Sequence, residues 1–307
     1  MHRRYRALLA STALICAAVP AGAQGLGMGM GTQDVVVRPG GGGILGPGDI
    51  VPFSVWWGLR AYSSAQKTGL VNGIRLRRAS DNVELDIKIT TAGDVDVGTA
   101  GTHCNLTTCF AALFYDQAGT RCAGTLPCSI GHAVLANQPE FVFNCFPNGK
   151  PCLRSGGTAL IASTPTFTPA TGVVSLYLTG GMMSGSSACA ILFQNGTAGN
   201  RINSSIPNGY NMLGGTSGNI INSTTIGFGV RPVVGIMNGA SSSLNVNGNV
   251  TTGTVTGNTV AGTTGGYRSP TGGICTNTES GFVDNVILNT TQQNALINSS
   301  RSYYGLP

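Results

Sequence analysis

The sequence predicts an all-β sandwich or jelly roll, and three observations carry that prediction. Short apolar or alternating runs recur along the chain with turn residues between them. Glycine supplies 47 of the 307 residues, much of it between those runs. Charged residues make up 9% of the chain, against roughly 25% in an ordinary soluble domain, and the outer strand positions are Thr, Ser and Asn instead. A charge-laced helical bundle and charge-driven disorder are excluded. The Thr/Asn/Gly tract at 195–225 and the Thr-Gly repeats at 251–266 also fit a β-solenoid, but no fixed period runs through the chain, so the sandwich is expected.

The elements follow in order. His2, Arg3, Arg4 and Arg6 precede an apolar run from Ala7 to Val19, and Ala21-Gly22-Ala23 stands before Gln24. A basic start, a short apolar stretch and an A-x-A site make residues 1–23 a signal peptide, and the run is too short to span a bilayer. Residues 24–48, with Gly40 to Gly43 in a row, read as a flexible leader. Residues 49–307 then form one domain. Trp56, Leu59 and Tyr62, about three apart, predict a short N-terminal helix from Ser54 to Gln66. Ile74–Arg77 and Val83–Ile89 alternate around Ser80-Asp81-Asn82, which is a hairpin. Phe110–Tyr115, Val173–Leu178, Ala190–Phe193 and Thr225–Val234 read as strands, Ser243–Thr254 as a hairpin around Asn247-Gly248, and Phe282–Leu288 as the last strand. A closing helix is expected over Thr290–Tyr303 with Thr290 or Thr291 as N-cap.

Signal removal takes Arg3, Arg4 and Arg6 from a net charge of +6. Arg75, Arg77 and Arg78 are the one tight basic cluster, and on a strand Arg78 points away from the other two. Nucleic acid is therefore not an expected partner, and no later stretch is apolar enough to span a membrane. Eight cysteines survive signal removal: Cys104, Cys109, Cys122, Cys128, Cys145, Cys152, Cys189 and Cys275. An even number in an exported chain reads as disulfides, placing the protein outside the cell or in the periplasm. Closeness along the chain suggests Cys104–Cys109, Cys122–Cys128 and Cys145–Cys152, leaving Cys189–Cys275. The C-x-x-C pairs of a zinc site are absent, and neither a metal nor a cofactor is expected.

From Leu59 to Gly119 the chain carries Arg60-Ala61-Tyr62-Ser63-Ser64, Leu76-Arg77-Arg78-Ala79-Ser80-Asp81-Asn82, Thr91-Ala92-Gly93, Cys104-Asn105-Leu106-Thr107-Thr108-Cys109 and Phe114-Tyr115-Asp116-Gln117-Ala118-Gly119. In that order these resemble the start of the catalytic domain of α-L-arabinofuranosidase B, a concanavalin-like, laminin-G-like jelly-roll β-sandwich. Farther on, Asn148-Gly149-Lys150-Pro151, Asn238-Gly239-Ala240-Ser241-Ser242 and Phe282-Val283-Asp284-Asn285 followed by a helix to Tyr303-Tyr304-Gly305 fit more loosely. The resemblance implies this fold, supports Cys104–Cys109, and implies a retaining glycoside hydrolase acting on arabinan or arabinoxylan.

Such an enzyme needs a carboxylate nucleophile and a carboxylic acid flanking the scissile bond. The resemblance places them in the segments matching Ala188–Thr197 and Gly265–Pro270, and neither holds an acid; indeed no Asp or Glu occurs from 141 to 278. Glu279 and Asp284 are the candidate catalytic acids that remain nearby. Asp116, Gln117, Asn195 and Tyr267 are the candidate sugar-binding residues, with Tyr177 and Tyr210 as further rings for stacking. Asp94 and Asp96, two apart, read either as half of a calcium site or as a solvated strand edge. Three functions follow: a glycan-recognising domain that has lost the catalytic pair, an active arabinofuranosidase, or a structural surface or adhesin module. Carbohydrate is the expected partner of the first two.

Overall fold

A computed structural model of the chain describes residues 45–119, 128–156, 160–163, 173–185, 189–195, 198–205, 209–214, 220–223, 229–255, 264–268 and 273–307. The signal peptide and nearly all of the leader lie outside these residues. At the leader's end, Leu45 packs against buried side chains and Pro47 opens a short helix, α1 (Pro47–Ile50).

Strands β1 (Val55–Gly58), β2 (Asn72–Arg78), β3 (Glu84–Lys88), β4 (Cys109–Phe114), β5 (Ile130–Gly131), β6 (Glu140–Val142), β7 (Cys152–Gly156), β8 (Leu160–Ser163) and β9 (Val174–Gly185) form the first half of the fold. The second half comprises β10 (Cys189–Asn195), β11 (Ala198–Ser205), β12 (Gly209–Leu213), β13 (Ile220–Ser223), β14 (Arg231–Met237), β15 (Gly239–Val246), β16 (Asn249–Val255), β17 (Thr264–Arg268) and β18 (Gly273–Asp284). Helix α2 (Val97–His103) lies between β3 and β4, and α3 (Thr290–Tyr304) closes the chain. One sheet runs β3–β2–β4–β5–β8–β17–β10–β11–β12–β13, antiparallel throughout. The other runs β1–β18–β9–β14–β15–β16, also antiparallel, and β6 and β7 connect the two, β6 pairing with β4 and β7, and β7 with β18. The expected all-β sandwich is therefore present.

Period-two alternation explains the layers. Along β14, Val233 and Met237 join the core between the sheets, while Val234 and Ile236 join the cluster under α3. Leu176 and Leu178 point inward from β9, and Tyr177 between them points to α3. Gly235 faces Ile202 and Met212 of the opposite sheet, and a Cβ there would come within 2.6 Å of the Met212 sulfur. Leu296 and Ile297 anchor α3 on its sheet, each contributing about 1.5–3 kcal/mol by burial.

Residues 54–66 correct the helix expectation. Trp56 belongs to the cluster under α3, while Val55, Trp57 and Leu59 belong to the inter-sheet core. A strand buried on both faces is apolar throughout, so spacing of three and spacing of two look alike. The last strand ends at Asp284 rather than Leu288, because Asn285 turns left-handed at φ 58°. The N-cap of α3 is Asn289, whose side chain accepts from the Gln292 amide while Gln292 reaches back to the Asn289 amide. Both hairpins form as expected, with Asn247 and Gly248 at φ 53° and 95°, the left-handed pair that a two-residue hairpin turn requires. The strand expected over Thr225–Val234 is Arg231–Met237, with 224–228 outside the described residues.

Three disulfides are present among the described residues: Cys104–Cys109, Cys145–Cys152 and Cys189–Cys275. Cys128 is also disulfide-bonded, and Cys122 lies outside the described residues. The bridge from Cys189 on β10 to Cys275 on β18 ties one sheet to the other.

Candidate functional site

The acids left in the chain decide what chemistry is available. Glu279 is fully buried and bound from every side. Arg60 donates Nε to its Oε2 at 2.6 Å and Nη2 to its Oε1 at 2.9 Å. Tyr177 and Ser300 hydroxyls donate to Oε1 at 2.8 and 2.9 Å. Burial by itself favours a neutral guanidine, but the adjacent Glu279 carboxylate outweighs it and holds the Arg60 pKa above its ordinary value. Burial, reinforced by the Glu279 charge, pushes the Tyr177 and Tyr304 phenols well up. Asp284 sits at the end of the same strand, five residues on. A strand rises about 3.3 Å per residue, so the two acids are about 16 Å apart along β18. Odd spacing sends their side chains to opposite faces. Neither the roughly 5 Å of a retaining pair nor the roughly 6.5–9.5 Å of an inverting pair is met.

Asp116 and Gln117 are buried at the end of β4 and hold β1 in place. Asp116 Oδ1 accepts the Trp56 and Ala118 amides, both at 3.0 Å. Burial raises the Asp116 pKa despite those bonds. Gln117 accepts the Tyr62 amide at 2.9 Å and donates to the Gly58 carbonyl at 2.7 Å, so both of its polar ends are spent on backbone. Tyr177 and Tyr210 are buried as well and present no face to a sugar, which corrects the expectation that they serve as stacking rings. Asn195 and Tyr267 lie on β10 and β17. Those two strands are hydrogen-bonded neighbours, with Leu192 opposite Gly266 and Ile191 opposite Tyr267. The segments to which the resemblance assigns the catalytic pair are thus brought side by side, although neither contains an acid.

Asp94 is placed differently from Glu279. Asp94 and Asp96 do not share a strand face: Asp96 caps α2 by accepting the Thr99 amide, and Asp94 forms an isolated bridge with Arg60. Asp96 is turned to the α2 cap and Asp94 to Lys150, so the two carboxylates do not converge on one half-site for calcium. Among the described residues no group of three or more metal-ligating side chains occurs. Asp94 instead stands in a cleft of about 350 Å³, lined by Arg60, Lys67, Asn148, Lys150 and Tyr303 among others. Three elements build it. Gly93, at φ 94°, turns the chain before Asp94, and a Cβ there would press into the Lys67 side chain at 2.9 Å. The Cys145–Cys152 disulfide closes the turn that carries Asn148 and Lys150. The last turn of α3 supplies Tyr303.

Within the cleft Asp94 Oδ1 receives the Tyr303 hydroxyl at 2.5 Å and the Lys150 ammonium at 2.6 Å. Lys150 Nζ also lies 4.4 Å from the Tyr303 ring centroid and Arg60 Cζ 5.0 Å from it. Burial, and then the neighbouring Asp94 charge, hold the Tyr303 phenol well above its usual pKa. The side-chain exposure of Asp94 is 36% and that of Lys150 is 25%, against 0% for Glu279. A second cavity, of about 270 Å³, is bordered by Phe110, Gln138, Glu140 and Arg154, with Glu140 ion-paired to Arg154 at 2.7 Å. Sequence reasoning missed the first cleft. Its parts were visible as Thr91-Ala92-Gly93, Asn148-Gly149-Lys150-Pro151 and Tyr303-Tyr304-Gly305, but nothing in the sequence said that they meet.

No family model matches the chain, and no curated protein matches it. Solved structures do. A GH54 α-L-arabinofuranosidase soaked with a cyclic sulfate inhibitor superposes with a TM-score of 0.61 at 14% identity, over 83% of this chain and 65% of that one. An arabinofuranosidase complexed with arabinofuranosyl-α-1,2-xylobiose gives 0.60 at the same identity and coverage. This chain therefore spans less than two thirds of the length of those enzymes. At this identity the likeness establishes the fold, which is an arabinofuranosidase-like β-sandwich.

Proposed function

We propose that the chain is an exported glycan-recognising β-sandwich that binds its ligand without hydrolysing it. One observation carries this reading. The two segments that should hold a glycosidase pair are adjacent strands, β10 and β17, inside a 141–278 stretch with no Asp or Glu. The acids outside that stretch support it, because Glu279 is caged by Arg60 and stands too far from Asp284 for either hydrolytic geometry. Amide and hydroxyl side chains can bond sugar hydroxyls without a catalytic pair. Arabinose-containing glycans are the first ligands to try, since one of the solved arabinofuranosidases is complexed with arabinofuranosyl-α-1,2-xylobiose. Residues 1–23 act as the signal and 24–48 as a leader, and the three disulfides agree with an oxidising destination.

The test has two arms on the purified mature chain. On an array of plant and microbial polysaccharides, arabinan or arabinoxylan should retain the protein. With 4-nitrophenyl α-L-arabinofuranoside no nitrophenol should be released above a no-protein control. Release that disappears in Asp284→Asn protein of unchanged melting temperature would establish the hydrolase instead. Absence of any glycan binding would leave the structural or adhesin module as the surviving reading.

A further inference from the structure

The second cavity lies along a row of three side chains that the strand register sets in line. Phe110 on β4 stands opposite Glu140 on β6, and Glu140 stands opposite Arg154 on β7. Directly opposed residues share a face at intervals of about 5 Å. The adjacent Phe141 and Leu153 belong to the core between the sheets, so the row looks outward. Resting on the glycan-recognising reading above, the geometry points to this row as the sugar subsite. It takes one neutral sugar unit, with two adjacent hydroxyls on the Glu140–Arg154 pair and a C–H face on the Phe110 ring.

The ion pair is the first reason. Arg154 spends both Nε and Nη2 on a single oxygen, Glu140 Oε2, at 3.1 and 2.7 Å. Among the described residues Glu140 Oε1 accepts no hydrogen bond and Arg154 Nη1 donates none. An acceptor and a donor thus stand side by side. Two adjacent sugar hydroxyls complete them, one donating to Oε1 and the other accepting from Nη1. Both side chains reach solvent, Arg154 at 47% and Glu140 at 33% exposure. One cation and one acid cancel, so the row suits a neutral ligand.

The second reason is the ring. Phe110 lines the cavity and is half-buried. Arg77, itself buried and outside the lining, lies 5.1 Å from the ring centroid. Its Nε donates to Gln138 Oε1 and its Nη1 to Asn82 Oδ1, both at 2.7 Å. The ring is therefore backed by a fixed side chain before any ligand arrives, which lowers the cost of ordering it. The Asp94 cleft lacks this element, because Arg60 and Lys150 lie against its aromatic lining residue, Tyr303. Size is the third reason. At about 270 Å³ the cavity falls just below the roughly 300 Å³ of the smaller ligand pockets, which suits a single sugar unit with the rest of the glycan in solvent.

Calorimetric titration of arabinotriose and xylotriose into the full mature chain tests the subsite. At least one of the two should bind saturably, and trigalacturonate should bind more weakly because its carboxylates meet Glu140. Arg154→Met should lose at least about tenfold in affinity with the melting temperature retained, and Phe110→Leu about threefold to tenfold. If Arg154→Met is unstable, Glu140→Gln, which keeps the side chain's size, is read in its place and should also lose affinity. Unchanged affinity in the pair variant or in Phe110→Leu overturns the inference, as does trigalacturonate binding tighter than either neutral sugar. Loss of binding in Asp94→Asn with Arg154→Met unaffected assigns recognition to the other cleft; the subsite is then wrong while the glycan-binding reading stands. Silence from both neutral sugars overturns the subsite, and the polysaccharide array then decides the broader reading by itself.

Discussion

Glu279 and Asp94 are assembled from the same parts and put to different ends. Each carboxylate meets a cation and a tyrosine hydroxyl: Arg60 and Tyr177 for Glu279, Lys150 and Tyr303 for Asp94. Arg60 touches both sites, since it bridges Asp94 through its backbone and grips Glu279 with its side chain. The difference is water. Glu279 is sealed beneath α3, with every contact closed by the protein, and Asp94 opens into a cleft at 36% exposure. A buried pair with saturated lone pairs can hold a fold together and do little else, whereas a half-exposed one has an oxygen left over for a ligand. Burial, rather than residue type, separates the two roles.

The comparison can be broken most forcefully at Glu279. Glu279→Gln removes the charge opposite a fully buried guanidinium and should cost about 3–5 kcal/mol in denaturant unfolding. Replacing both partners, as Arg60→Met with Glu279→Leu, should recover most of that loss. A double variant as unstable as the single one would mean that the cage is not held by the ion pair. Next in size is the Cys189–Cys275 bridge, whose loop of 86 residues joins the two sheets. Removing both cysteines should cost about 2–5 kcal/mol and lower the melting temperature without changing ligand preference.

Asp94→Asn should cost only about 1 kcal/mol or less in stability, as expected for a partly solvated pair. A stability loss as large as that of Glu279→Gln would erase the distinction between the sites. The smallest effect belongs to Asp86, on the outer face of β3. Arg75, hydrogen-bonded at 2.6 Å, holds its pKa below the usual carboxylate range, with burial opposing and Tyr115 assisting. A depressed pKa stabilises the fold above the unfolded value of about 3.9, and that contribution disappears as pH falls through the folded value. Its size is under about 1 kcal/mol at this exposure. Asp86→Asn should therefore lose that contribution, up to about 1 kcal/mol, at pH 7 and converge with the unsubstituted protein as pH falls below the folded pKa; an equal loss at both would assign Asp86 a role beyond this ion pair.

The sandwich was legible because alternation and Asn-Gly turns are local, as Ile74–Arg77, Val83–Ile89 and Asn247-Gly248 show. The helix expected over 54–66 misled for a physical reason: β1 is covered on one face by the opposite sheet and on the other by α3, so its residues lose the polar positions that mark a strand. The deficit of acids from 141 to 278 was readable at once, and β10 pairing with β17 gives it a place in the sheet. The Asp94 cleft was not readable. It joins residues near 60, 94, 150 and 303, and only the packing of α3 and the disulfide-closed turn beside Arg60 brings them together. The same distance along the chain hid the cage of Glu279, which looked like a spare acid and is a buried ion-pair partner.

The most direct test of recognition without hydrolysis is a single calorimetric titration of arabino-oligosaccharide into the mature chain, followed by chromatography of the recovered sugar. Saturable binding with the oligosaccharide returned at its original length is the expected result. Free arabinose in the recovered sample would contradict it.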